Sequence, residues 1–271
     1  MRRWIRIFAV FCIGFGLTGR PVQAASSLSH FDYTIQYKNK TYHKTAYVYL
    51  PDTDEKLPVL YLMHGSTGDA GSLAKQMQPL LDRWIKQGRI PPMAVVFPTY
   101  YPSRDFVQDD YSEDYPLNRF FARRELKKVI RKTESNFNVY SDREHRAFGG
   151  YSMGGVTTWE VIIHHADWFS EYLPMAGDCW SKNGTADVIQ GVQKAGLQAE
   201  DLHIQAMVGE NDGTKQDMIP QIDALRADDS GLFNEENLEY WENNDGSHSF
   251  ASMRAELRHA LPKIFTAKEE V

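Results

Sequence analysis

The sequence predicts one α/β domain built on a doubly wound, mostly parallel sheet. Short runs that are apolar throughout alternate with segments of helical periodicity from residue 58 to the end, which is typical of this architecture. No repeat, low-complexity tract or linker-like run appears after residue 30. A chain of 271 residues is also within the range of a single domain.

The predicted strands are of two kinds. Residues 32–37 and 45–50 alternate between apolar and polar positions, which predicts two half-exposed antiparallel edge strands. A continuous apolar run is typical of a strand buried on both faces of a parallel sheet. We predict such strands at residues 59–63, 93–97, 146–148, 172–175, 203–208 and 238–241.

Helical periodicity marks four segments between and after these strands. They are residues 73–85, 117–137, 219–225 and 253–265. The longest stretch without a pattern, residues 99–116, follows the carboxyl end of a predicted strand. Open α/β sheets bind ligands at that edge, so this segment is expected to border a ligand crevice.

The amino terminus predicts a secretory signal peptide over residues 1–24. It has a basic start, an apolar core over residues 7–17 and small residues up to Ala24, after which we expect cleavage. The alternative is a retained membrane anchor, but the apolar run is about half the length of a spanning helix. The mature protein would then be secreted, with one domain over residues 25–271 and no stable membrane association.

Charge and cysteine content exclude several classes of protein. Loss of residues 1–24 removes four arginines and no acid, so the formal net charge of −6 becomes −10, which argues against nucleic acid or anionic lipid as partners. Cys12 leaves with the signal peptide, and Cys179 alone cannot form an internal disulfide. No metal-ligand spacing or phosphate-binding loop is present, so we expect neither a metal nor another cofactor.

The Gly-Tyr-Ser-Met-Gly run at residues 150–154 fits the Gly-x-Ser-x-Gly pattern. The pattern alone is weak, but here it lies between a predicted buried strand and a helical segment. In that setting it forms a sharp turn that exposes the serine as a nucleophile. We therefore predict Ser152 as the nucleophile; the alternative is an ordinary turn.

A nucleophilic serine needs a histidine base and an acid that orients it, in the chain order serine, acid, histidine. His248 lies in a polar, glycine-containing loop after the last predicted strand, and we prefer it as the base. The acid is expected in the loop after residues 203–208, where Asp212 is preferred over Glu210 and Asp217. The remaining histidines after Ser152 are on predicted helices or at the start of a strand: His164, His165, His203 and His259.

The oxyanion of an acyl-transfer intermediate needs backbone donors. One is expected to be the N–H of Met153, directly after the nucleophile. The second is expected in the loop that follows residues 59–63, with the N–H of Ser66 as the first choice. His64, in the same loop, is interpreted as a residue that braces the loop and not as a base.

These motifs resemble the feruloyl (cinnamoyl) and acetyl xylan esterase family, an esterase-D-like branch of the α/β-hydrolases. The resemblance covers nearly all of residues 30–268. It depends on the segments 61–65, 91–98, 175–178 and 209–212, on the Gly-Ser-His run ending at His248, and above all on residues 141–155. It is similar in particular to the esterase modules attached to clostridial xylanases.

The resemblance implies an α/β-hydrolase fold without a separate lid domain, a triad of Ser152, Asp212 and His248, and hydrolysis of hydroxycinnamoyl esters on plant cell-wall xylan. Acetyl xylan, small esters and tannin-type esters are alternative substrates. Trp180, Tyr100 and Tyr101 are candidates for lining an aromatic acyl pocket. Two other functions stay open: acyl transfer of the mycolyltransferase kind, and a non-catalytic binding protein. The sequence leaves the oligomeric state open.

Overall fold

The computed structural model describes residues 26–265. The predicted signal peptide and its cleavage site lie outside the described residues, so that interpretation stays a prediction. Eight strands form one sheet: β1 (Ser27–Tyr37), β2 (Lys40–Leu50), β3 (Val59–Met63), β4 (Ala94–Phe97), β5 (Arg146–Tyr151), β6 (Glu171–Met175), β7 (His203–Gly209) and β8 (Leu238–Asn243).

The sheet has the strand order β1-β2-β4-β3-β5-β6-β7-β8. The pairs β1·β2 and β2·β4 are antiparallel, and every other pair is parallel. The predicted fold class is therefore confirmed. One detail differs: β2 is not an edge strand, because it pairs with both β1 and β4.

The central strands are buried on both faces, as their continuous apolar sequences predict. All residues of β3 and β4 are buried, and so are all but the first of β5 and β6. In β1, by contrast, buried and exposed residues alternate over the second half of the strand, because this strand at the edge packs one face on the core.

Within the described residues, seven α-helices surround the sheet: α1 (Ala70–Lys86), α2 (Asp114–Phe120), α3 (Leu126–Asn136), α4 (Met153–His165), α5 (Thr185–Ala195), α6 (Lys215–Arg226) and α7 (Phe250–Ala260). They form two groups. α4 packs on α2 and α5, and α5 packs on α6, whereas α1 and α7 lie side by side. One group covers each face of the sheet, which is the doubly wound arrangement.

Two helical features differ from the sequence-based expectation. The helix predicted over residues 117–137 is divided by a π-helical turn at Phe121–Glu125. This turn places the buried carboxylate of Glu125 against the ammonium of Lys44 and, at 2.6 Å, the hydroxyl of Tyr33. Helix α5 was not predicted at all, since only Val188, Gly191 and Val192 of its eleven residues are buried.

Candidate active site

Ser152 lies in a strained turn between β5 and α4. Its backbone adopts φ 59° and ψ −122°, a region that residues with a side chain rarely occupy. The turn is held by hydrogen bonds from the Ser152 amide to the Met175 carbonyl (2.9 Å) and from the Gly155 amide to the Ser152 carbonyl (2.7 Å). The strand-turn-helix context predicted for the Gly-x-Ser-x-Gly run is therefore present.

The glycines of this turn are required by close backbone contacts. A Cβ on Gly150 would lie 2.5 Å from the backbone of Gly154, and a Cβ on Gly154 would lie 2.5 Å from the carbonyl oxygen of Met63. Neither distance is sterically allowed. The absence of both Cβ atoms lets α4 start directly against β3 and β5, with its amino end at Ser152.

His248 bridges Ser152 and Asp212. The Nε2 atom of His248 is 2.9 Å from Ser152 Oγ, and its Nδ1 atom is 2.8 Å from Asp212 Oδ2. These residues follow β8, β5 and β7, whose carboxyl ends share one edge of the sheet. The structure therefore brings the three predicted residues together in the predicted order. The alternative acids lie elsewhere: Glu210 accepts a hydrogen bond from the Asp245 amide, and Asp217 lies in the first turn of α6.

The Asp212 carboxylate is buried, and both of its oxygens accept hydrogen bonds. Burial alone would raise its pKa, but hydrogen bonds from His248 and from the amide and hydroxyl of Thr214 outweigh burial and lower it. Asp212 is thus charged at neutral pH. A charged, buried acceptor at Nδ1 fixes the imidazole with its Nε2 atom toward the serine.

Tyr151 supports the loop that carries His248. Its hydroxyl accepts a hydrogen bond from the Ser249 amide (2.8 Å) and lies 3.4 Å from both Asp212 Oδ2 and the Ser247 carbonyl. The tyrosine thereby connects the residues on either side of His248 to the acid. This brace was not predicted, because nothing in the sequence links the residue before the nucleophile with a loop 98 positions later.

The loop after β3 forms a tight turn at Ser152. The amide of Gly68 donates to the carbonyl of Gly65 (3.2 Å), and Thr67 has a positive φ of 60°. With Ser66 and Thr67 as its central residues, this is a type II turn. Gly65 packs directly on the nucleophile, since a Cβ there would lie 3.0 Å from Ser152 Cβ. Ser66 and Ser152 line the same cavity.

Three side chains hold this turn in place. Asp114, which is fully buried, accepts a hydrogen bond from Ser66 Oγ (2.5 Å). Tyr101 accepts one from the Thr67 amide (3.1 Å), and Arg104 donates to the carbonyls of Thr67 and Gly68 (2.9 and 2.5 Å). The sequence analysis missed Asp114 and Arg104. The only signal was their position in the unpatterned segment 99–116, which holds the turn from behind and contributes no lining residue to the cavity at Ser152.

His64 is buried at the base of the turn. Its Nδ1 atom lies 2.7 Å from the Gly65 carbonyl and its Nε2 atom 2.8 Å from Thr99 Oγ1. Burial lowers its pKa to about 4. A neutral imidazole with both nitrogens engaged braces the loop, as predicted. The other histidines considered as bases pair with carboxylates or pack on helix surfaces away from the serine: His164, His165, His203 and His259.

The open cavity at Ser152 has a volume of about 310 Å³ and lies between the amino ends of α1 and α7. Tyr100 and Tyr101 do not line it, which corrects the prediction made for them. They are buried behind His64, with 0% and 2% of their surface exposed, and they support Asp114 and Thr67. Trp180 is 42% exposed and lines a different cavity of about 410 Å³ beside Tyr115.

Two further properties concern the described residues only. Within residues 26–265, no three histidine, cysteine, aspartate or glutamate side chains are grouped so that they could hold a metal ion. Over the same range, no helix has both the length and the apolar character that a membrane span requires.

Comparisons with known proteins relate the whole domain to esterases. Residues 41–264 match the model of the esterase family described as "Putative esterase". Endo-1,4-beta-xylanase Y of Acetivibrio thermocellus is 29% identical over an alignment of 246 residues, and the match covers 82% of this chain and 22% of that protein. An endo-1,4-beta-xylanase/feruloyl esterase of Xylanibacter ruminicola is 27% identical over an alignment of 196 residues, and the match covers 59% of this chain and 26% of that protein. The chain thus spans about a quarter of the length of these curated relatives.

A solved structure of an esterase module has a similar fold. It is a serine-to-alanine mutant of the feruloyl esterase module from Clostridium thermocellum, complexed with sinapinate. The two chains superpose with a TM-score of 0.74 at 26% identity, over 92% of this chain and 91% of that one. The predicted class of enzyme, a carboxylic-ester hydrolase with an α/β-hydrolase fold, is therefore confirmed, and the chain belongs to the esterase family.

Proposed function

We propose that this chain is a serine carboxylesterase that forms an acyl-enzyme on Ser152, with feruloyl esters of plant cell-wall polysaccharide as its substrates. The observation that carries the proposal is the imidazole of His248, with Nε2 2.9 Å from Ser152 Oγ and Nδ1 2.8 Å from Asp212 Oδ2. This geometry lets one histidine remove the serine proton and later return it to the leaving alcohol.

The reaction follows from these contacts. His248 Nε2 takes the proton of Ser152 as Oγ attacks the ester carbonyl, and Asp212 stabilises the resulting imidazolium. The N–H groups of Met153 and Ser66 hold the oxyanion. His248 then protonates the departing alcohol, and a water activated by the same imidazole releases the acid.

The choice of substrate is supported by the relatives. Two of the similar proteins carry feruloyl esterase in their names, and one is complexed with sinapinate, a hydroxycinnamate. Acetyl xylan, small esters and tannin-type esters are the alternatives. We also propose that the protein is secreted after removal of residues 1–24, supported by the basic start and short apolar run of that segment.

The test is the pair of variants Ser152→Ala and Ser135→Ala, the second being a control at an exposed serine near the end of α3. Ser152→Ala should lower kcat for methyl ferulate and nitrophenyl acetate by about 10⁴-fold or more, with an unchanged melting temperature. A fluorophosphonate should label the wild type and the control but not Ser152→Ala. Full activity of Ser152→Ala would contradict the nucleophile assignment.

A substrate panel separates the alternatives within this chemistry. Methyl ferulate is expected to give a higher kcat/KM than nitrophenyl butyrate or acetylated xylan. A reversed order would indicate an acetyl or small-ester hydrolase. New ester formed in excess on an added carbohydrate would indicate a transferase instead, since water and a sugar alcohol compete for the same acyl-enzyme.

A further inference from the structure

A second cavity lies between α1 and α7, next to the catalytic cavity. It has a volume of about 430 Å³ and lies between the second half of α1 and the middle of α7. Leu80, Ala251 and Ala255 contribute apolar surface to it. The same two helices line both cavities, and Phe250 of the catalytic cavity is followed directly by Ala251 of the second one, so the two cavities are neighbours.

This second cavity is strongly basic. Four arginines line it, together with Gln87, and none of its described lining residues is acidic: Arg83, Arg89, Arg254 and Arg258. Within residues 26–265, no ion pair joins any of the four to a carboxylate. Asp82, the nearest acid along α1, instead accepts a hydrogen bond from Tyr49.

Such a cluster is unusual in a protein with a formal net charge of −6. Like charges grouped around a concave surface repel one another and lower stability unless an anion occupies the site. Guanidinium groups bind carboxylates in a planar, bidentate manner. The charge and shape of this cavity therefore fit a carboxylate-bearing ligand.

The position of the cavity connects it with the alcohol side of the reaction. His248 must protonate the leaving oxygen, so the alcohol part of an ester lies on the histidine side of Ser152. On that side the catalytic cavity is lined by Ser249 and Phe250, at the start of α7. Along α1, Gln76 of the catalytic cavity and Arg83 of the second one are seven residues apart, or about 10 Å at the rise of an α-helix. A chain of a few sugar rings spans that distance.

We propose that the arginine-lined cavity binds uronate residues of an acidic polysaccharide whose ester is cleaved at Ser152. The inference rests on the proposed function, because it assigns the alcohol part of that substrate. The apolar surface of Leu80 and the two alanines contacts sugar faces, and the arginines pair with the carboxylates. Nucleic acid is disfavoured as the anion by the acidic remainder of the chain.

The experiment measures binding of trigalacturonate and of the neutral xylotriose by calorimetry at low salt. The double variant Arg83→Gln/Arg254→Gln should bind trigalacturonate about tenfold more weakly than the wild type. The control Arg123→Gln/Arg124→Gln removes the same charge from the opposite face and should bind as the wild type does. Xylotriose should bind more weakly than trigalacturonate to the wild type and equally to all three proteins.

Three outcomes would overturn the inference: equal affinity for the two trisaccharides, equal weakening in the control variant, or tighter binding of inorganic phosphate or a short DNA duplex than of trigalacturonate. Hydrolysis of nitrophenyl acetate by the Arg83→Gln/Arg254→Gln variant should equal that of the wild type. Failure of the esterase proposal would appear separately, as a wild type that hydrolyses no ester while its saccharide binding is still measurable.

Discussion

Ser66 offers a clean test of the oxyanion site, because its backbone N–H and its hydroxyl can be removed separately. Ser66 is the second residue of the type II turn at residues 65–68. Proline is favoured at that position, where φ is near −60°, and the preceding Gly65 has no Cβ to clash with the ring. Ser66→Pro therefore deletes the N–H while the turn is retained. Ser66→Ala keeps the N–H and deletes only the hydroxyl.

The two variants should lose similar stability, but only one of them should lose transition-state stabilisation. Both lose the 2.5 Å hydrogen bond to Asp114, which leaves a buried carboxylate with one partner fewer and costs about 1–3 kcal/mol of stability. Only Ser66→Pro loses the proposed oxyanion donor, which typically contributes roughly 2.7–4 kcal/mol to the transition state. The kcat of Ser66→Pro should thus be about 10²–10³-fold below that of Ser66→Ala, with a similar KM.

The assay is steady-state hydrolysis of methyl ferulate by both variants, with thermal unfolding measured on the same samples. Comparable melting temperatures with the expected difference in kcat would support Ser66 as a donor. If both variants are folded and their kcat values agree within a few-fold, the oxyanion is held by another group and the assignment of Ser66 is wrong.

Two other predictions concern stability. Gly154→Ala should lower the melting temperature markedly, because its Cβ would lie 2.5 Å from the Met63 carbonyl oxygen and overpacking costs about 1–3 kcal/mol. Gly213→Ala is the control: a Cβ at Gly213 meets no atom within 4 Å, so the melting temperature should change little. Glu256 is fully buried and unpartnered among the described residues, and burial, with Asp212 nearby, raises its pKa to about 8. From roughly pH 4 to pH 8 the unfolded chain releases this proton while the folded chain keeps it, so wild-type stability should fall with rising pH relative to Glu256→Gln and level off above that window. Urea unfolding at pH 5, 7 and 8.5 measures this, and a difference independent of pH would show that Glu256 ionises normally.

Much of the fold could be read from local patterns. A strand buried on both faces must be apolar throughout, and so β3 was predicted with its observed bounds and β7 within one residue. β5 extends three residues beyond its predicted end, because Gly149 and Gly150 carry no hydrophobic side chain although they pair with β3 and β6. Helix α5 escaped prediction for a related reason: it buries too few apolar residues to show a period.

The candidate triad was predictable because its chemistry constrains both residue type and chain order. A nucleophilic serine needs glycines around it and an acid and a histidine after it, and those requirements leave few candidates. The supporting residues obey no such rule. Tyr100 and Tyr101 were expected at the substrate and instead lie behind His64, since aromatic residues serve equally well in a core or a pocket.

The sequence by itself thus determined the class of fold, the strained serine turn and the order of Ser152, Asp212 and His248, because each leaves a local pattern of apolar period, glycine spacing or chain order. Only the tertiary structure decided which residues support that site and what surrounds it: the buried Asp114 against Ser66, Tyr151 under the histidine loop, and the arginines gathered between α1 and α7. These are contacts between residues far apart in the chain. They arise when separate elements pack at one edge of a sheet, and no short-range pattern records them.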